Sequence, residues 1–350
     1  MKVGIIAANN IRYSPYIFFY TKILNELNID YELIYPNRNK IEENFTSSVV
    51  EIEWDNQKNT LFNYLSYSKK VKKKILERKY DFLIVLTSNN AVFLSNFLSK
   101  KYKKKYIIDI RDYTHENVYL YFLLEKKAIK NSTLNIISSK KFEKFLPKGK
   151  YEVCHNINAN NTIDFSTINK RHVPIIVGYV GALGYIDKCK KFMDLVSLDY
   201  RFEFHFYGTS NYETELKEYA KKLNCDRIKF FGAYANEHKQ EIIKKIDILF
   251  NIYGNGKPLL DYALSNKLYD SLLNVKPILT SPKTFMEEMA GSLSYSINLE
   301  NFANLDDLYD WYSAIDFEYE AKKAQEKLLK IKREHENTII KIKEIIKSNK

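Results

Sequence analysis

The chain has 350 residues, which is long enough for two domains of ordinary size with substantial cores. Its hydrophobic fraction of 45%, with 28 Tyr and 21 Phe, excludes a disordered protein, and its longest apolar runs fall well short of a transmembrane helix. The net charge of +12 lies almost entirely in the first half, since residues 1–165 carry 27 Lys+Arg against 17 Asp+Glu, whereas residues 166–350 carry 28 against 26.

The basic excess of the first half is concentrated in two lysine clusters, at 69–79 and 100–105. Such an asymmetry indicates that this half meets an anionic surface or substrate. Solvated helix faces in a lysine-rich protein would produce the same pattern. The three cysteines, Cys154, Cys189 and Cys225, are far apart, so neither a disulfide framework nor a zinc site is supported. Buried thiols in a cytoplasmic protein are expected instead.

Short apolar runs alternate with longer amphipathic stretches through the first half. The runs predict strands at 2–7, 31–35, 82–86, 106–110, 134–138 and 151–154. The stretches between them predict helices at 14–27, 61–78, 91–100 and 117–130. Strands separated by helices of this length indicate right-handed βαβ units and a parallel sheet.

The pattern weakens across the polar segment 158–173 and then restarts. Strands are predicted at 174–181, 202–207, 228–231, 248–252 and 277–280, and helices at 212–223, 237–245 and 266–273. Segment 317–350 is predicted to be a charged helix with an apolar seam. We therefore predict an α/β protein with two Rossmann-like, doubly wound domains at 1–165 and 173–325, and a helix at 326–350 that packs back across their junction.

A glycine-rich turn, Gly178-Tyr179-Val180-Gly181-Ala182-Leu183-Gly184, leads from a predicted strand to a helix beginning near Lys188. Glycines let the backbone approach a ligand closely, and a helix start offers free N–H groups. Lys188, Lys190 and Lys191 crowd this helix start, where the helix dipole disfavours cations. A bound diphosphate would resolve the conflict, and the N-cap-like Asp187 offers a purely structural alternative.

Two further turns follow strands of the second half, Tyr207-Gly208 and Gly232-Ala233-Tyr234. Ligands of doubly wound sheets bind outside the carboxyl ends of the strands, so both turns are expected to line that crevice. Each is equally compatible with an ordinary turn. His205 lies between two phenylalanines and is expected to be a core histidine with satisfied hydrogen bonds.

The segment Ser265-Asn266-Lys267-Leu268-Tyr269-Asp270 opens a predicted helix after a glycine-containing loop. Lys267 would lie in the first turn, and the three-residue spacing would place Asp270 on the same face. The two residues could form a plain intrahelical ion pair. A lysine in a first turn is unfavourable by itself, which favours an anion-binding site with a carboxylate beside it.

These turns, together with Asp247, the 265–270 segment and Lys276-Pro277-Ile278, resemble one family. It is the group of bacterial GT-B-fold glycosyltransferases related to glycogen synthases, which build capsules and other surface polysaccharides. The resemblance implies that 173–325 binds a nucleotide sugar and that 1–165 binds the acceptor. It also implies that Asp270 holds the ribose, and that Lys188 and Lys267 hold the diphosphate. The expected donor-binding residues are Gly181, Lys188, Tyr207, Gly208, Tyr234, Asn266, Lys267 and Asp270.

The chain also departs from the family pattern. Many members have a second carboxylate eight residues before the ribose-binding one, a position held here by Tyr262 with Asp261 beside it. The arginine that often accompanies the lysine of the first loop is absent.

A second constellation ends a strand of the first half, from Asp109 through Asp112 to His115. An acid, a cation and an imidazole gathered there could serve an acceptor, with Asp112 or His115 orienting or deprotonating its hydroxyl. An Arg–Asp pair that supports the strand end is the structural alternative. The expected acceptor-binding residues, which also follow strands, are Asn10, Arg12 and His155.

Metal or cofactor chemistry finds no support in the sequence, which contains neither an Asp-x-Asp triplet nor a His-x-x-x-His spacing. The leaving diphosphate would be neutralised by lysines and helix dipoles instead. The resemblance implies a retaining transfer to a glycan or polyprenyl-diphosphate-linked acceptor, without nucleic acid, and the basic first half suits attachment to the inner face of an anionic membrane. Three alternatives stay open: a nucleotide-sugar epimerase of the same fold, a catalytically degenerate scaffold, and a basic nucleic-acid-binding protein.

Overall fold

The computed structural model describes residues 1–45, 47–55, 60–157, 163 and 173–350. The chain divides into two compact units. The N-terminal unit comprises Met1–His155 and Arg333–Lys350, and the C-terminal unit comprises Asn156–Lys332. Most of the predicted polar linker at 158–173 lies outside the described residues.

The N-terminal unit is built on a parallel sheet of seven strands in the order β3-β2-β1-β4-β5-β6-β7. The strands are β1 (Lys2–Ile6), β2 (Asp30–Asn37), β3 (Val49–Glu53), β4 (Phe82–Leu86), β5 (Tyr106–Ile110), β6 (Leu134–Ile137) and β7 (Tyr151–Val153). Helices α1 (Tyr16–Glu26), α2 (Thr60–Arg78), α3 (Ser88–Lys101) and α4 (Tyr119–Asn131) connect them. The inner strands β4 and β5 are buried along their whole length, as strands covered on both faces must be.

The C-terminal unit contains a parallel sheet of six strands in the order β10-β9-β8-β11-β12-β13. They are β8 (Ile175–Val180), β9 (Phe202–Tyr207), β10 (Ile228–Gly232), β11 (Ile248–Asn251), β12 (Ile278–Thr280) and β13 (Ser294–Ser296). The helices are α5 (Ile186–Leu198), α6 (Glu213–Leu223), α7 (Lys239–Lys244), α8 (Pro258–Tyr262), α9 (Asn266–Asn274), α10 (Phe285–Ala290) and α11 (Asp306–Ala314). A last helix, α12 (Phe317–Ser348), begins in this unit and ends in the N-terminal unit. The strand order reverses at β8, which therefore marks the topological switch point where ligands of such sheets bind.

Helix α12 contributes to the core of each unit. Leu328 and Ile331 are buried in the core of the C-terminal unit. Ile342 and Ile346, farther along the same helix, are buried in the core of the N-terminal unit. The apolar seam predicted for 317–350 is therefore covered at both of its ends.

The predicted α/β architecture of two Rossmann-like parallel sheets is confirmed. Two strands were not predicted, and both form a sheet edge. β3 alternates exposed and buried residues and carries two glutamates, so it lacks the continuous apolar run of an inner strand. β13 is only Ser-Tyr-Ser and relies on pairing with β12. Cys154 and Cys189 are buried as expected, whereas Cys225 is partly exposed. Within the described parts of the chain, no helix is both long enough and apolar enough to cross a bilayer.

Candidate functional site

Three glycine turns meet at the carboxyl edge of the C-terminal sheet. The N–H of Gly181, after β8, donates to the carbonyl of Tyr207 at 2.9 Å, and the N–H of Gly208, after β9, donates to the carbonyl of Gly232 at 2.7 Å. These bonds continue the sheet ladder one step past the strand ends. The turns are therefore fixed next to one another at the edge where a ligand of this fold binds.

Gly208 occupies a position that only glycine can fill. Its φ is +134°, and a Cβ placed there would lie 1.9 Å from the carbonyl oxygen of Gly181. Both the left-handed backbone and the close approach of two turns therefore require the absence of a side chain. At Gly181 the backbone alone favours glycine, since its φ is +117° and a Cβ there would meet nothing within 4 Å.

Helix α5 begins earlier than the sequence indicated. It begins at Ile186, and its N-cap is Tyr185, which adopts a left-handed conformation with a φ of 54°. The carbonyl of Tyr185 accepts the N–H of Lys188 at 2.9 Å. The predicted helix start near Lys188 is therefore two residues late. The structural alternative in which Asp187 is the N-cap is wrong, because Asp187 lies inside the first turn.

The lysines at the start of α5 are balanced by carboxylates. Lys188 binds Glu300 at 2.6 Å, and Lys191 contacts the same carboxylate. Hydrogen bonds from these two lysines lower the pKa of Glu300 to about 2. Lys190 binds Glu215 at 2.6 Å. The sequence conflict at this helix start is therefore relieved by acidic residues of distant segments, and Lys188 stands where it could exchange Glu300 for another anion.

The start of α9 is held against the end of β11. The hydroxyl of Ser265 accepts the N–H of Lys267 at 3.2 Å and donates to Asn251 at 2.8 Å. Asn266 accepts a hydrogen bond from Asn156 at 2.5 Å. Ser265 is thus a true N-cap, and it fixes the helix N-terminus at the same carboxyl edge as the glycine turns.

Lys267 lies inside an aromatic cage. Its ammonium is 4.5 Å from the ring centre of Tyr179 and 5.1 Å from that of Tyr253, and it donates to the Tyr253 hydroxyl. Tyr185 stacks on Tyr253 with ring centres 4.0 Å apart. Burial lowers the pKa of Lys267, and Tyr179 and Asp270 act in the opposite direction. The lysine is buried, so cation–π contacts compensate part of its lost hydration.

The carboxylate of Asp270 pairs with Lys239 and not with Lys267, the partner that the three-residue spacing suggested. The carboxylate lies 2.7 Å from the ammonium of Lys239, at the start of α7. Burial raises the pKa of Asp270, and Lys239 lowers it. Tyr234 is close enough for Asp270 to raise its pKa further, beyond the effect of burial. The structure therefore places Asp270, Tyr234 and Lys239 together at the carboxyl edge.

Tyr262, where the stated resemblance would place a second carboxylate, is the last residue of the short helix α8. Asp261 accepts the N–H of Gly256 at 2.8 Å and thereby closes the loop that precedes this helix. A Cβ at Gly254, in the same loop, would lie 3.7 Å from the side chain of Lys188. The loop therefore lies between the side chain of Lys188, near the start of α5, and the start of α8.

In the N-terminal unit, the end of β5 carries a buried ion pair. Arg111 binds both oxygens of Asp109, at 2.6 and 2.8 Å, and donates to the carbonyl of Cys154 at 3.0 Å. Tyr20 donates to Asp109 at 2.7 Å. The structural alternative for this segment, an Arg–Asp pair that supports the strand end, is thus what the structure shows.

The residues proposed for the acceptor lie in different environments. Arg12, Asp112 and His115 are exposed. Desolvation by the surrounding protein raises the pKa of Asp112, while the charge of Arg111 opposes this rise. Asn10 is fully buried and binds Asn37 at 2.8 Å and the backbone N–H of Arg38 at 3.0 Å, so its side chain shapes the turn after β2.

His155 is also buried, and its ring contacts Glu334 at 3.0 Å. Burial lowers its pKa, and Glu334 opposes this effect. The predicted core histidine, His205, is buried and binds Glu203 at 2.6 Å, as expected.

Sequence reasoning missed several residues of the site, namely Lys239, Glu300, Tyr253, Tyr185 and Asn251. Lys239 and Glu300 lie on segments that have no motif, so nothing in the linear pattern links them to Asp270 or Lys188. The signal for Ser265 as an N-cap was available, because serine is a common residue immediately before a helix. Among the described residues, no group of three or more His, Cys, Asp or Glu side chains is placed to hold a metal ion.

Two parallel-sheet units of this topology, with glycine turns and a capped helix N-terminus at the carboxyl edge of the second, define the GT-B fold. Solved structures of that fold superimpose on nearly the whole chain. The sucrose-phosphate synthase of Thermosynechococcus elongatus is 10% identical, with a TM-score of 0.74 and coverage of 99% of this chain and 98% of that one. HepE of Anabaena, in complex with UDP and glucose, is 13% identical, with a TM-score of 0.68 and coverage of 97% and 99%.

A third similar structure is the apo form of the lipopolysaccharide outer core galactosyltransferase WaaB. It is 15% identical, with a TM-score of 0.67 and coverage of 97% of this chain and 99% of that one. The sequence matches no protein-family model, and it has no significant match among curated proteins. The resemblance stated from the sequence is therefore confirmed at the level of fold.

Proposed function

We propose that the chain is a glycosyltransferase that takes a sugar from a nucleotide sugar bound by its C-terminal unit. The observation that carries the proposal is the position of Asp270. This buried carboxylate lies on the capped helix α9, at the carboxyl edge where three glycine turns meet. HepE, which has the same fold, is solved with UDP and glucose.

The chemistry of the site suits a nucleoside diphosphate. A carboxylate accepts hydrogen bonds from two ribose hydroxyls, and Asp270 would take that role. The start of α5 presents backbone N–H groups beside Lys188, which would bind the diphosphate after releasing Glu300. Lys267 would act through its positive charge from within its aromatic cage, since its ammonium is held by Tyr253. Gly181, Tyr207, Gly208, Tyr234 and Asn266 would complete the donor site.

In the proposed reaction, the bond between the anomeric carbon and the diphosphate oxygen breaks, and a bond to the acceptor oxygen forms. The acceptor hydroxyl loses its proton to Asp112 or His115, or to the departing diphosphate. Charge on the diphosphate is stabilised by Lys188, by Lys267 and by the helix N-termini, without a metal ion. We propose retention of anomeric configuration, with positioning supplying much of the rate.

The N-terminal unit would bind the acceptor, and we propose a growing glycan or a polyprenyl-diphosphate-linked sugar in the assembly of a surface polysaccharide. Arg12, Asp112 and His115 are the exposed side chains that could contact it. Asn10 and His155 would act indirectly, because both are buried and already hydrogen-bonded within the N-terminal unit.

Release of nucleoside diphosphate from a panel of UDP-, GDP-, CDP- and dTDP-sugars tests the activity. Proton NMR of the sugar product then reports its anomeric configuration. We expect release from one nucleotide class, retained configuration, full activity in EDTA and loss of activity in Asp270→Asn. A sugar that is returned as its epimer, still attached to the nucleotide, would contradict transfer and support the epimerase alternative. Folded protein that acts on none of these donors would contradict the proposal outright.

A further inference from the structure

The N-terminal halves of α2 and α4 expose a group of large apolar side chains. On α2 they are Leu61, Phe62 and Leu65, and on α4 they are Tyr119, Leu120 and Leu123. Each is between 40% and 76% exposed. We call these six residues the apolar tip. Single exposed apolar side chains are ordinary, but six on two helices form a patch of the kind that marks an interaction surface.

The two halves of the apolar tip flank the start of α3. Tyr64 on α2 accepts a hydrogen bond from Asn89 at 3.2 Å, and Asn89 accepts one from Tyr121 on α4 at 3.0 Å. Both tyrosines are buried. The exposed residues next to Tyr64 and Tyr121 in the sequence therefore lie on either side of this hydrogen-bonded bridge, with the start of α3 between them. The bridge through Asn89 therefore fixes the spacing of the two helix starts that carry the apolar tip.

Cations follow the apolar tip along the same helix faces. On α2, Lys69 and Lys73 are exposed and follow Leu65 at four-residue intervals. On α4, Lys126 and Lys130 are exposed and follow Leu123 at intervals of three and four residues. Both helices leave the carboxyl edge of one parallel sheet, so their apolar ends and their cationic ends point the same way.

Negative charge is almost excluded from this surface. Helices α2, α3 and α4 together carry eleven Lys and Arg residues but only two carboxylates, Glu77 and Glu125. Glu77 binds Lys74 at 3.0 Å. Glu125 is fully buried, and burial followed by the charge of Glu116 raises its pKa to about 8. The charged side chains exposed on the three helices are therefore all cationic, apart from Glu77, which pairs with Lys73 and Lys74. Leu76 is the one further large apolar side chain that these helices expose beyond the tip, among the described residues.

We propose that this surface binds an anionic lipid bilayer, with the apolar tip inserted among the acyl chains and the lysines against the headgroups. Leu65 and Lys73 are eight residues apart, or about 12 Å along the helix. An inserted depth of roughly 5–10 Å would leave these lysines at headgroup level. A partner protein would need an acidic groove of matching shape, whereas a bilayer requires only apolar and cationic side chains in this order. The inference does not depend on the proposed sugar transfer.

Co-sedimentation with vesicles tests the proposal on the full chain. We expect binding to vesicles of phosphatidylethanolamine with phosphatidylglycerol, little binding to pure phosphatidylcholine, and loss of most binding at about 1 M salt, where charges are screened within about 3 Å. Phe62→Ser with Leu65→Ser, and separately Lys69→Glu with Lys73→Glu, should each weaken binding at least about tenfold. Matched controls in the C-terminal unit are Leu198→Ser with Tyr200→Ser and Lys221→Glu with Lys222→Glu, all at exposed positions.

Control variants that lose binding as strongly as the tip variants would contradict a specific surface. A wild-type chain that binds neither vesicle type would overturn the proposal. Sedimentation velocity tests a further outcome, namely that the apolar tip joins two copies of the chain. If the chain forms dimers that the Phe62 and Leu65 substitutions abolish, and it binds no vesicles, the patch joins two copies instead. Thermal unfolding of all variants, measured in parallel, shows that they are folded. This readout does not require nucleotide binding, so the result stays separate from a failure of the proposed enzyme function.

Discussion

The ammonium of Lys239 lies 2.7 Å from the carboxylate of Asp270, although the two residues are 31 positions apart and neither one's sequence context indicates the other. Asp270 is the residue to which we assign the donor ribose. Burial alone would favour its neutral form, and Lys239 counteracts that effect. The ion pair therefore favours the ionised carboxylate, the form that accepts hydrogen bonds, at the proposed binding position.

Replacing Lys239 by Met should destabilise the chain by about 1–3 kcal/mol, because it leaves the buried Asp270 carboxylate without its cation. Urea unfolding of Lys239→Met, Asp270→Asn and the double variant measures the coupling. Lys245→Met, at an exposed position just after the same helix, is the control and should change stability by less than about 0.5 kcal/mol. Additive effects of the two single substitutions would show that the pair is not energetically coupled.

Glu300 holds Lys188 in the free protein, so it should compete with a diphosphate for that lysine. Glu300→Gln is expected to tighten nucleoside diphosphate binding several-fold, whereas Lys188→Gln should weaken it by about tenfold or more. Titration calorimetry measures both. Glu215→Gln is the control, since its partner Lys190 has no place in the proposed site. Unchanged affinity in Lys188→Gln would remove Lys188 from the donor site.

Gly208→Ala should destabilise the C-terminal unit by more than about 3 kcal/mol, because its Cβ would collide with the Gly181 carbonyl and the φ is positive. Gly256 also has a positive φ, of 83°, but a Cβ there would meet nothing within 4 Å. Gly256→Ala should therefore cost only about 1 kcal/mol, the strain of the backbone alone. Thermal unfolding of both variants separates collision from strain, and equal losses would contradict the close approach of the two turns.

The buried Glu125 predicts a pH dependence of stability. Its pKa rises from 4.5 to about 8 in the folded chain, so protonation stabilises the folded state. That contribution is complete below pH 4.5 and is lost as the pH rises through about 8. Glu125→Gln mimics the neutral acid, and its stability relative to the wild type should increase by up to about 1.4 kcal/mol per pH unit in this window.

Urea unfolding between pH 5 and pH 9 measures this difference for Glu125→Gln. Glu326→Gln, an exposed substitution of the same kind, should run parallel to the wild type. A Glu125→Gln curve that also runs parallel would show that Glu125 titrates normally.

The order of strands and helices was predictable because inner parallel strands such as β4 are continuous apolar runs between amphipathic segments. The edge strands β3 and β13 were not, since only pairing with a neighbour defines them. The position of Asp270 on a capped helix was also readable, from Ser265 and the preceding loop. Its partner was not, because Lys239 begins another helix, α7, and only the folded sheet brings the two together.

The lysines at the start of α5 also have a partner that only the fold brings close to them. Their placement at a helix start suggested a missing anion, and the structure supplies Glu300 from more than a hundred residues away. For Lys267, the three-residue spacing to Asp270 was correct for the helix. The ammonium nevertheless turns to Tyr253 and Tyr179, because an aromatic cage lies against that face.

The most direct test of the central claim is a thermal-shift titration with UDP, GDP, CDP and dTDP on the wild type, Asp270→Ala and Asp261→Ala. At one hundred times the dissociation constant, a bound nucleotide should stabilise the wild type by about 2.7 kcal/mol. We predict that one nucleotide has this effect, that Asp270→Ala abolishes it, and that Asp261→Ala keeps it. If no nucleotide stabilises the folded wild type, or if Asp270→Ala responds as strongly as the wild type, the proposed donor site is contradicted.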